Sequence, residues 1–421
     1  MREVSLIQIL LPVSVLLLFV LLLEWSTYRG LAPVIDHLRN HTWRQVWRSL
    51  YAANSVLLVG ALVFGVVAFI RRDASLYRPV SLAFGVVVML LLPKLVFLAV
   101  SLGGWVVEGI IRLLSSSADA AEVAVASASR RRFVGQVGLG LAAIPFFGVL
   151  HGLTRGKYAY TVHRQTLRFP DLPAAFHGFT IAQISDIHAG SFDDAAAVQR
   201  GVDMVNALGA DLIAFTGDLV NNVASEIEPW IDTFARLRAP FGVFSITGNH
   251  DYGEYVRWDS EEARAADFRQ LVAHHGRMGF RILMNEHVRI EKDGQTIDLL
   301  GVENWGEPPF PQHGDLEAAL RDSTSDFRVL LSHDPTHWDA QVRPHNQPVH
   351  LTLSGHTHGM QFGVEIAGWK WSPVKYRYPR WAGLYEEAGK YLYVNRGFGF
   401  IGFPARVGIW PEITLITLER G

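Results

Sequence analysis

Apolar and polar positions alternate in two different ways along this chain. From Val4 to Leu23 the residues are apolar almost without a break, enough at about 1.5 Å per helical residue to cross a hydrocarbon layer of roughly 30 Å. Ala52 to Ile70, Val80 to Leu102 and Phe133 to Leu150 repeat the pattern, with Trp43, Trp47, Tyr51, Tyr77 and Trp105 placed as interfacial aromatics would be. The expectation is about four transmembrane helices. A cleaved leader in place of the first is disfavoured, because Val4 to Leu23 lacks a short core followed by a small-residue cleavage site. Pro93 and Lys94 interrupt the third stretch, where a kink and a lysine reaching to the headgroups are expected. Ser115 to Ser129 reads as a linker.

After Tyr158 short apolar runs alternate with Gly, Asp, Asn and His, as in water-soluble mixed α/β domains. The boundaries expected are a membrane region over 1–153 and a catalytic domain over 154–421. Val198 to Leu208, Glu226 to Leu237 and Glu261 to His275 read as helices, with His274 and His275 expected at the surface.

Composition narrows the chemistry. A net charge of -2 with no basic excess excludes nucleic acid as the expected partner. Without cysteine there is no disulfide, no thiolate nucleophile and no Cys-ligated zinc, so a metal must sit on His, Asn and carboxylates. No repeat or low-complexity segment argues for a scaffold, and no obligate protein partner is evident.

Orientation follows from the basic residues between the spans. If Arg29, Arg39, Arg44 and Arg48 face the cytoplasm, so do Arg112 and Arg130 to Arg132, while Arg71, Arg72 and Arg78 lie outside with the C-terminal domain. Ser129-Arg130-Arg131-Arg132-Phe133-Val134 also resembles a twin-arginine export signal set inside the chain; the plainer reading, arginines capping a helix on its cytoplasmic side, requires the same orientation.

The chemistry-bearing residues follow the apolar runs. Phe179 to Ile184 leads into Asp186-x-His188, whose side chains would share one side of an extended chain. Asp211 to Phe215 leads into Gly217-Asp218, and Gly242 to Ile246 into Gly248-Asn249-His250-Asp251. Val329 to Leu331 leads into His333, and Val349 to Leu353 into Gly355-His356-Thr357-His358. Any one of these fragments is ordinary turn chemistry. All of them at successive strand ends make a rim suited to two divalent metals.

This series resembles the calcineurin-like metallophosphoesterases from about Thr180 to the C-terminus, and Tyr393 to Gly399 with Pro411-Glu412-Ile413 looks like their membrane-anchored bacterial branch. Met360 and Glu303-Asn304 depart from that pattern without touching a ligand. The resemblance implies an αββα domain with two packed mixed sheets. It implies one ion on Asp186, His188 and His358, another on Asn249, His333 and His356, and Asp218 bridging both. Manganese, iron or zinc suit such a set better than magnesium. The implied reaction is attack of a dimetal-activated water on a phosphate ester, phosphodiester or pyrophosphate, of a lipid or envelope intermediate. His250 is expected to act on the leaving oxygen, with Asp251 orienting it, and Arg396 is a candidate for holding a phosphate oxygen.

Ala367 to Leu384 interleaves Trp369, Trp371, Tyr376, Tyr378 and Trp381 with Lys370, Lys375, Arg377 and Arg380, a composition that can rest at a headgroup layer. The implied location is a bacterial inner membrane, with the domain outside. Two alternatives stand beside this: a cytoplasm-facing pyrophosphatase of UDP-diacylglucosamine, as in related family members, and a membrane sensor that binds phosphate without turnover.

Overall fold

Each apolar N-terminal run extends into a helix longer than the run itself: α1 (Leu6–Asp36), α2 (His41–Arg71), α3 (Tyr77–Leu114) and α4 (Ala120–Thr154). All four hold a stretch apolar and long enough to cross a membrane, Leu11–Asp36, His41–Ala68, Tyr77–Ile111 and Ala126–Thr154. The computed structural model describes residues 6–71, 76–114 and 120–421. Val4, Ser5, Arg72 and Ser115 to Asp119 therefore lie outside the described residues. Ala120 to Ser129, expected in a linker, instead continue α4, and their alanine content explains why. The chain divides into two units, Met1–Arg71 with Pro79–His151 and Arg72–Arg78 with Gly152–Gly421.

Within the first unit Lys94 does not reach the headgroups. It is buried and pairs with Glu24, whose carboxylate also accepts from Ser55 Oγ at 2.5 Å, while Tyr51 donates to the Glu24 carbonyl at 2.7 Å. A charge among apolar helices is costly alone, and the partner seventy residues away removes the need to snorkel. Arg130 to Arg132 lie inside α4, where Arg131 grips Glu108 at 2.7 Å and Arg132 lies 2.8 Å from His37 Nε2.

The second unit holds β1 (Thr161–Phe169), β2 (Thr180–Ile184), β3 (Leu212–Phe215), β4 (Val243–Ser245), β5 (Phe280–Ile282), β6 (Glu286–Lys292) and β7 (Gln295–Gly301). These are followed by β8 (Arg328–Leu331), β9 (Leu351–Ser354), β10 (Val364–Ile366), β11 (Trp369–Trp371), β12 (Gly383–Glu387), β13 (Lys390–Val394) and β14 (Glu412–Arg420). One six-stranded sheet runs β1-β14-β2-β3-β4-β5 and the other β12-β13-β9-β8-β7-β6, while β10 and β11 form a separate hairpin. Both are mixed: β2 to β5 are parallel with β14 antiparallel to β2, and β7, β8, β9 and β13 are parallel with antiparallel partners at both edges.

Strand periodicity builds the layers. Ile181, Leu212, Ala214 and Phe244 point from the first sheet into a shared core with Leu299, Val329, Leu331 and Leu353 of the second. Their neighbours Ala182, Ile184, Ile213 and Phe215 face outward, onto Val198, Val202 and Val205 of α5 (Ala195–Ala207) and Leu271 further on. The expected helix over 226–237 is a 3-10 turn, Ala224–Trp230, running into the short α6 (Ile231–Phe234); Pro229 removes an N–H from its ladder. α7 (Glu261–Arg277) buries His274 and His275, which were expected at the surface. His275 packs against Phe215 and shares a hydrogen bond with Ser245 Oγ at 2.9 Å. α8 (Leu316–Leu320) covers the outer face of the second sheet through Leu300 and Leu330.

Candidate dimetal site

The segments leaving β2, β3, β4, β8 and β9 gather Asp186, His188, Asp218, Asn249, His250, His333, His356 and His358 at the strand C-terminal ends. Strand periodicity is not what aligns Asp186 with His188, because β2 has already ended at Ile184. Both residues are left-handed, with φ of 53° and 48°, and so are Asp218 at 60°, His356 at 71° and His358 at 49°. Backbone of this kind costs roughly 1–3 kcal/mol per residue and persists where surrounding structure enforces it, commonly at functional sites. Gly248 and Gly355 are part of that enforcement: a Cβ on Gly248 would stand 2.2 Å from Asp218 Oδ1, and one on Gly355 2.2 Å from Asp186 Oδ2.

Two candidate metal clusters result. Asp186, His188 and His358 form one, and Asp218, His333 and His356 the other. In the first, His358 Nε2 lies 3.0 Å from His188 Nε2 and 3.3 Å from Asp186 Oδ1. In the second, His333 Nε2 lies 3.1 Å from Asp218 Oδ2, and His356 Nδ1 is 2.9 Å from Asn249 Oδ1. The same Asp218 Oδ2 is 3.5 Å from His188 Nε2, so one carboxylate faces both clusters.

One loop sets the rings. Thr216, Val220 and Asn221 offer carbonyl oxygens to Nδ1 of His333 at 2.7 Å, of His188 at 3.1 Å and of His250 at 2.7 Å. Because a carbonyl only accepts, each Nδ1 carries a proton, and Nε2 is the nitrogen turned towards the centre of the site. Asp251 holds this loop by accepting from the backbone N–H groups of Asp218 at 3.0 Å, Leu219 at 2.8 Å and Gly248 at 2.8 Å. It does not orient His250 directly, contrary to expectation; the Asn221 carbonyl does that. Arg396, a candidate for holding phosphate, is engaged by carboxylates instead. Its buried guanidinium pairs with Glu412 at 2.5 Å and Glu365 at 2.7 Å, joining the chain's last strand to the hairpin.

The family model for calcineurin-like phosphoesterases matches residues 179–360, and one described as a probable calcineurin-like phosphoesterase transmembrane domain matches residues 7–157. The uncharacterized metallophosphoesterase YkuE of Bacillus subtilis is 31% identical over 300 residues, covering 69% of this chain and 98% of the relative. The chain belongs to the calcineurin-like metallophosphoesterases. It is also 26% identical to the phosphodiesterase YaeI of Escherichia coli over 299 residues, 69% of this chain and 99% of that one. The UDP-2,3-diacylglucosamine pyrophosphatase LpxG of Chlamydia trachomatis is 26% identical over 289 residues, 56% of this chain and 83% of that one.

The electrostatics of this metallophosphoesterase fit a cation. Burial drives His188 down to about 3 and His358 well below the usual imidazole range, so both rings are neutral, the form in which imidazole can ligate a cation. His333 goes the other way, to about 10, because Asp218 outweighs its burial. Asp218 in turn is held well below the carboxylate range against its own burial, chiefly by His333 and His250. A buried carboxylate facing an imidazolium is an arrangement in which a divalent ion can replace the proton. His333 Nε2, buried 3.1 Å from Asp218 Oδ2 without an aligned hydrogen bond, is the position at which an ion would take the place of that proton.

Three side chains around the cluster were given no part in the site by the sequence. Tyr378 OH lies 2.8 Å from His356 Nε2, Arg406 lies 3.1 Å from His358 Nδ1, and Tyr255 OH accepts from Asn249 Nδ2 at 2.8 Å. Tyr378 and Arg406 are 22 and 48 positions from the histidines they touch; the aromatic and basic stretch around Tyr378 pointed to a headgroup layer rather than to the metals, and no motif marks Arg406.

Proposed function

We propose that this metallophosphoesterase cleaves a phosphodiester or pyrophosphate of a lipid or envelope intermediate. Asp186, His188, Asp218, Asn249, His333, His356 and His358 hold two divalent ions, and His250 serves the leaving oxygen. The observation that carries the reading is Asp218, whose Oδ2 faces a histidine of each cluster while its Oδ1 accepts the His250 backbone N–H at 2.8 Å. Bound divalent ions polarise phosphoryl oxygens and lower the pKa of coordinated water towards neutrality. The imidazole-rich donor set favours manganese, iron or zinc over magnesium.

The chain's own residues supply the rest. Asp218 fixes the main chain of His250, the Asn221 carbonyl fixes its ring, and Nε2 is left to take up a proton from solvent and pass it to the departing oxygen, returning to its neutral form. Similarity to proteins named as a phosphodiesterase and a nucleotide-lipid pyrophosphatase supports substrates with two ester or anhydride bonds at phosphorus. The arginine distribution between the spans supports a bacterial inner-membrane protein with the catalytic unit on the outer side. Similarity to LpxG supports a second reading, a pyrophosphatase of the UDP-diacylglucosamine type; that reading puts the catalytic unit on the cytoplasmic side, and an impermeant maleimide applied to cells carrying Glu291→Cys separates the two.

The full chain in detergent, loaded with manganese, should hydrolyse bis-p-nitrophenyl phosphate faster than p-nitrophenyl phosphate. Asp218→Ala should abolish both activities and release metal. Turnover that survives in Asp218→Ala, or that needs no metal, would overturn the reading.

A further inference from the structure

Between Met360 and Tyr376 the catalytic unit leaves apolar surface that its own core does not cover. β10 and β11 pair antiparallel, with Ile366 opposite Trp369 and Val364 opposite Trp371, around a turn in which Ala367 and Gly368 are both left-handed at φ of 51° and 83°. Ile366 is 68% exposed, Trp369 61%, Met360 56% and Tyr376 77%. Elsewhere in the same aromatic and basic stretch the side chains are engaged. Trp381 is buried with Tyr378, Ala382 and Ile409; Arg380 pairs with Asp339 and Glu387, Arg377 with Glu307, and Lys370 donates to the Ala382 carbonyl. The uncovered surface is thus the hairpin tip with Met360 and Tyr376, not the whole interleaved stretch.

The hairpin is rooted where the chain leaves its last membrane span. Gly152, in the last turn of α4, belongs to the catalytic unit, and a Cβ there would stand 2.7 Å from both the Arg406 oxygen and Val407 Cγ2. Val407 N–H donates to the Gln361 oxygen at 2.8 Å, and Gly363 N–H donates back to the Val407 oxygen at 2.9 Å, immediately before β10. The same junction touches the metal cluster, since the side chain of Arg406 lies 3.1 Å from His358 Nδ1. Lys375, exposed, holds its ammonium 5.5 Å from the centre of the Tyr376 ring, an aromatic and basic pair of the sort that rests among lipid headgroups.

We propose that the β10–β11 hairpin, with Met360 and Tyr376, inserts into the bilayer next to the α4 exit and presents the metal cluster to phosphoesters carried by lipids of that same leaflet. This rests on the membrane spans and on the lipid-borne substrate reading, and it names the surface that would deliver such a substrate. Apolar tips on a short hairpin bind a bilayer weakly alone, but a segment already tethered to the membrane needs little affinity to stay inserted.

The chain's lack of cysteine allows a direct test. The full-length protein carrying Ile366→Cys, labelled with an environment-sensitive dye and reconstituted into phosphatidylcholine vesicles, is compared with Glu291→Cys on the far edge strand β6. At position 366 the dye should be blue-shifted, quenched by lipids spin-labelled near the glycerol, and several-fold less sensitive to aqueous iodide than at 291. Equal iodide quenching at the two positions would overturn the proposal, and this readout needs no turnover, so it fails independently of the phosphoesterase reading. In the same vesicles, Ile366→Ser with Trp369→Ser should lose most activity on a phospholipid ending in a p-nitrophenyl phosphodiester and keep it on soluble bis-p-nitrophenyl phosphate. Equal losses on both substrates, or none on the lipid, would reject the delivery role.

Discussion

His250 Nδ1 lies 2.7 Å from the carbonyl oxygen of Asn221, so this ring, whose main chain is held by Asp218, is fixed by main chain and leaves Nε2 unclaimed by that bond. In the proposed scheme it ligates neither cluster. His250→Ala should therefore lower kcat by roughly 10²- to 10⁴-fold while the protein still binds its full metal complement. Turnover of a good leaving group such as p-nitrophenolate should suffer less than that of an alkyl ester. Loss of metal from the variant, measured by elemental analysis, would instead make His250 part of the metal cage.

Tyr378 supports the second cluster through His356 Nε2, 2.8 Å from its hydroxyl. Tyr378→Phe keeps the ring and removes that contact. Outer partners of metal-bound histidines typically account for 10- to 100-fold in affinity, so one of the two ions should bind about tenfold more weakly. A titration that shows both ions weakened alike, or neither, would contradict an assignment of Tyr378 to one site.

His275 gives a pH dependence outside the metal cluster. Burial lowers its folded-state value to about 3, whereas the unfolded chain titrates near 6.5. The folded protein rejects a proton that the unfolded chain accepts, so this contribution is complete above about pH 6.5 and is lost as pH falls towards 3, by about 1.4 kcal/mol per pH unit. His275→Gln should be less stable at pH 7, having lost its packing on Phe215, but should lose less stability between pH 6.5 and 4. Parallel melting curves for the two proteins across that range would refute the assignment.

The Glu24–Lys94 pair predicts non-additivity among the membrane helices. Lys94→Met alone leaves a buried carboxylate without its cation and should cost roughly 3–5 kcal/mol. Adding Glu24→Gln should recover most of that loss, because the uncompensated charge disappears. Thermal unfolding of the full chain in detergent, read for both single variants and the double variant, decides it. Strictly additive losses would mean that the two groups do not act as a pair.

How much of this was readable in advance depended on distance along the chain. The strands and the ligands that follow them were visible because each ligand lies within a few residues of the apolar run that delivers it, as Asp218 lies beside Leu212–Phe215. The two packed sheets rested on resemblance to a known family, since periodicity alone gives a mixed α/β domain. What stayed hidden were pairings that only folding creates. Lys94 meets Glu24, Arg396 meets Glu412 and Glu365, and His275 meets Phe215, each satisfied by a residue from a different element. Asp186 and His188 converge as expected but for another reason, because left-handed backbone replaces strand alternation at that point.

The carbonyls of Thr216, Val220 and Asn221 grip three histidine rings of the candidate site, and carbonyls are the part of a residue that substitution does not change. The reactive centre is therefore insulated from much of the sequence drift around it. Tyr255, Phe310 and Tyr378, whose side chains pack on the rings of His250 and His356, have no such protection. Lineages that share this chemistry can part company at those aromatic positions, acquiring new substrates while the hydrolytic apparatus stays as it was.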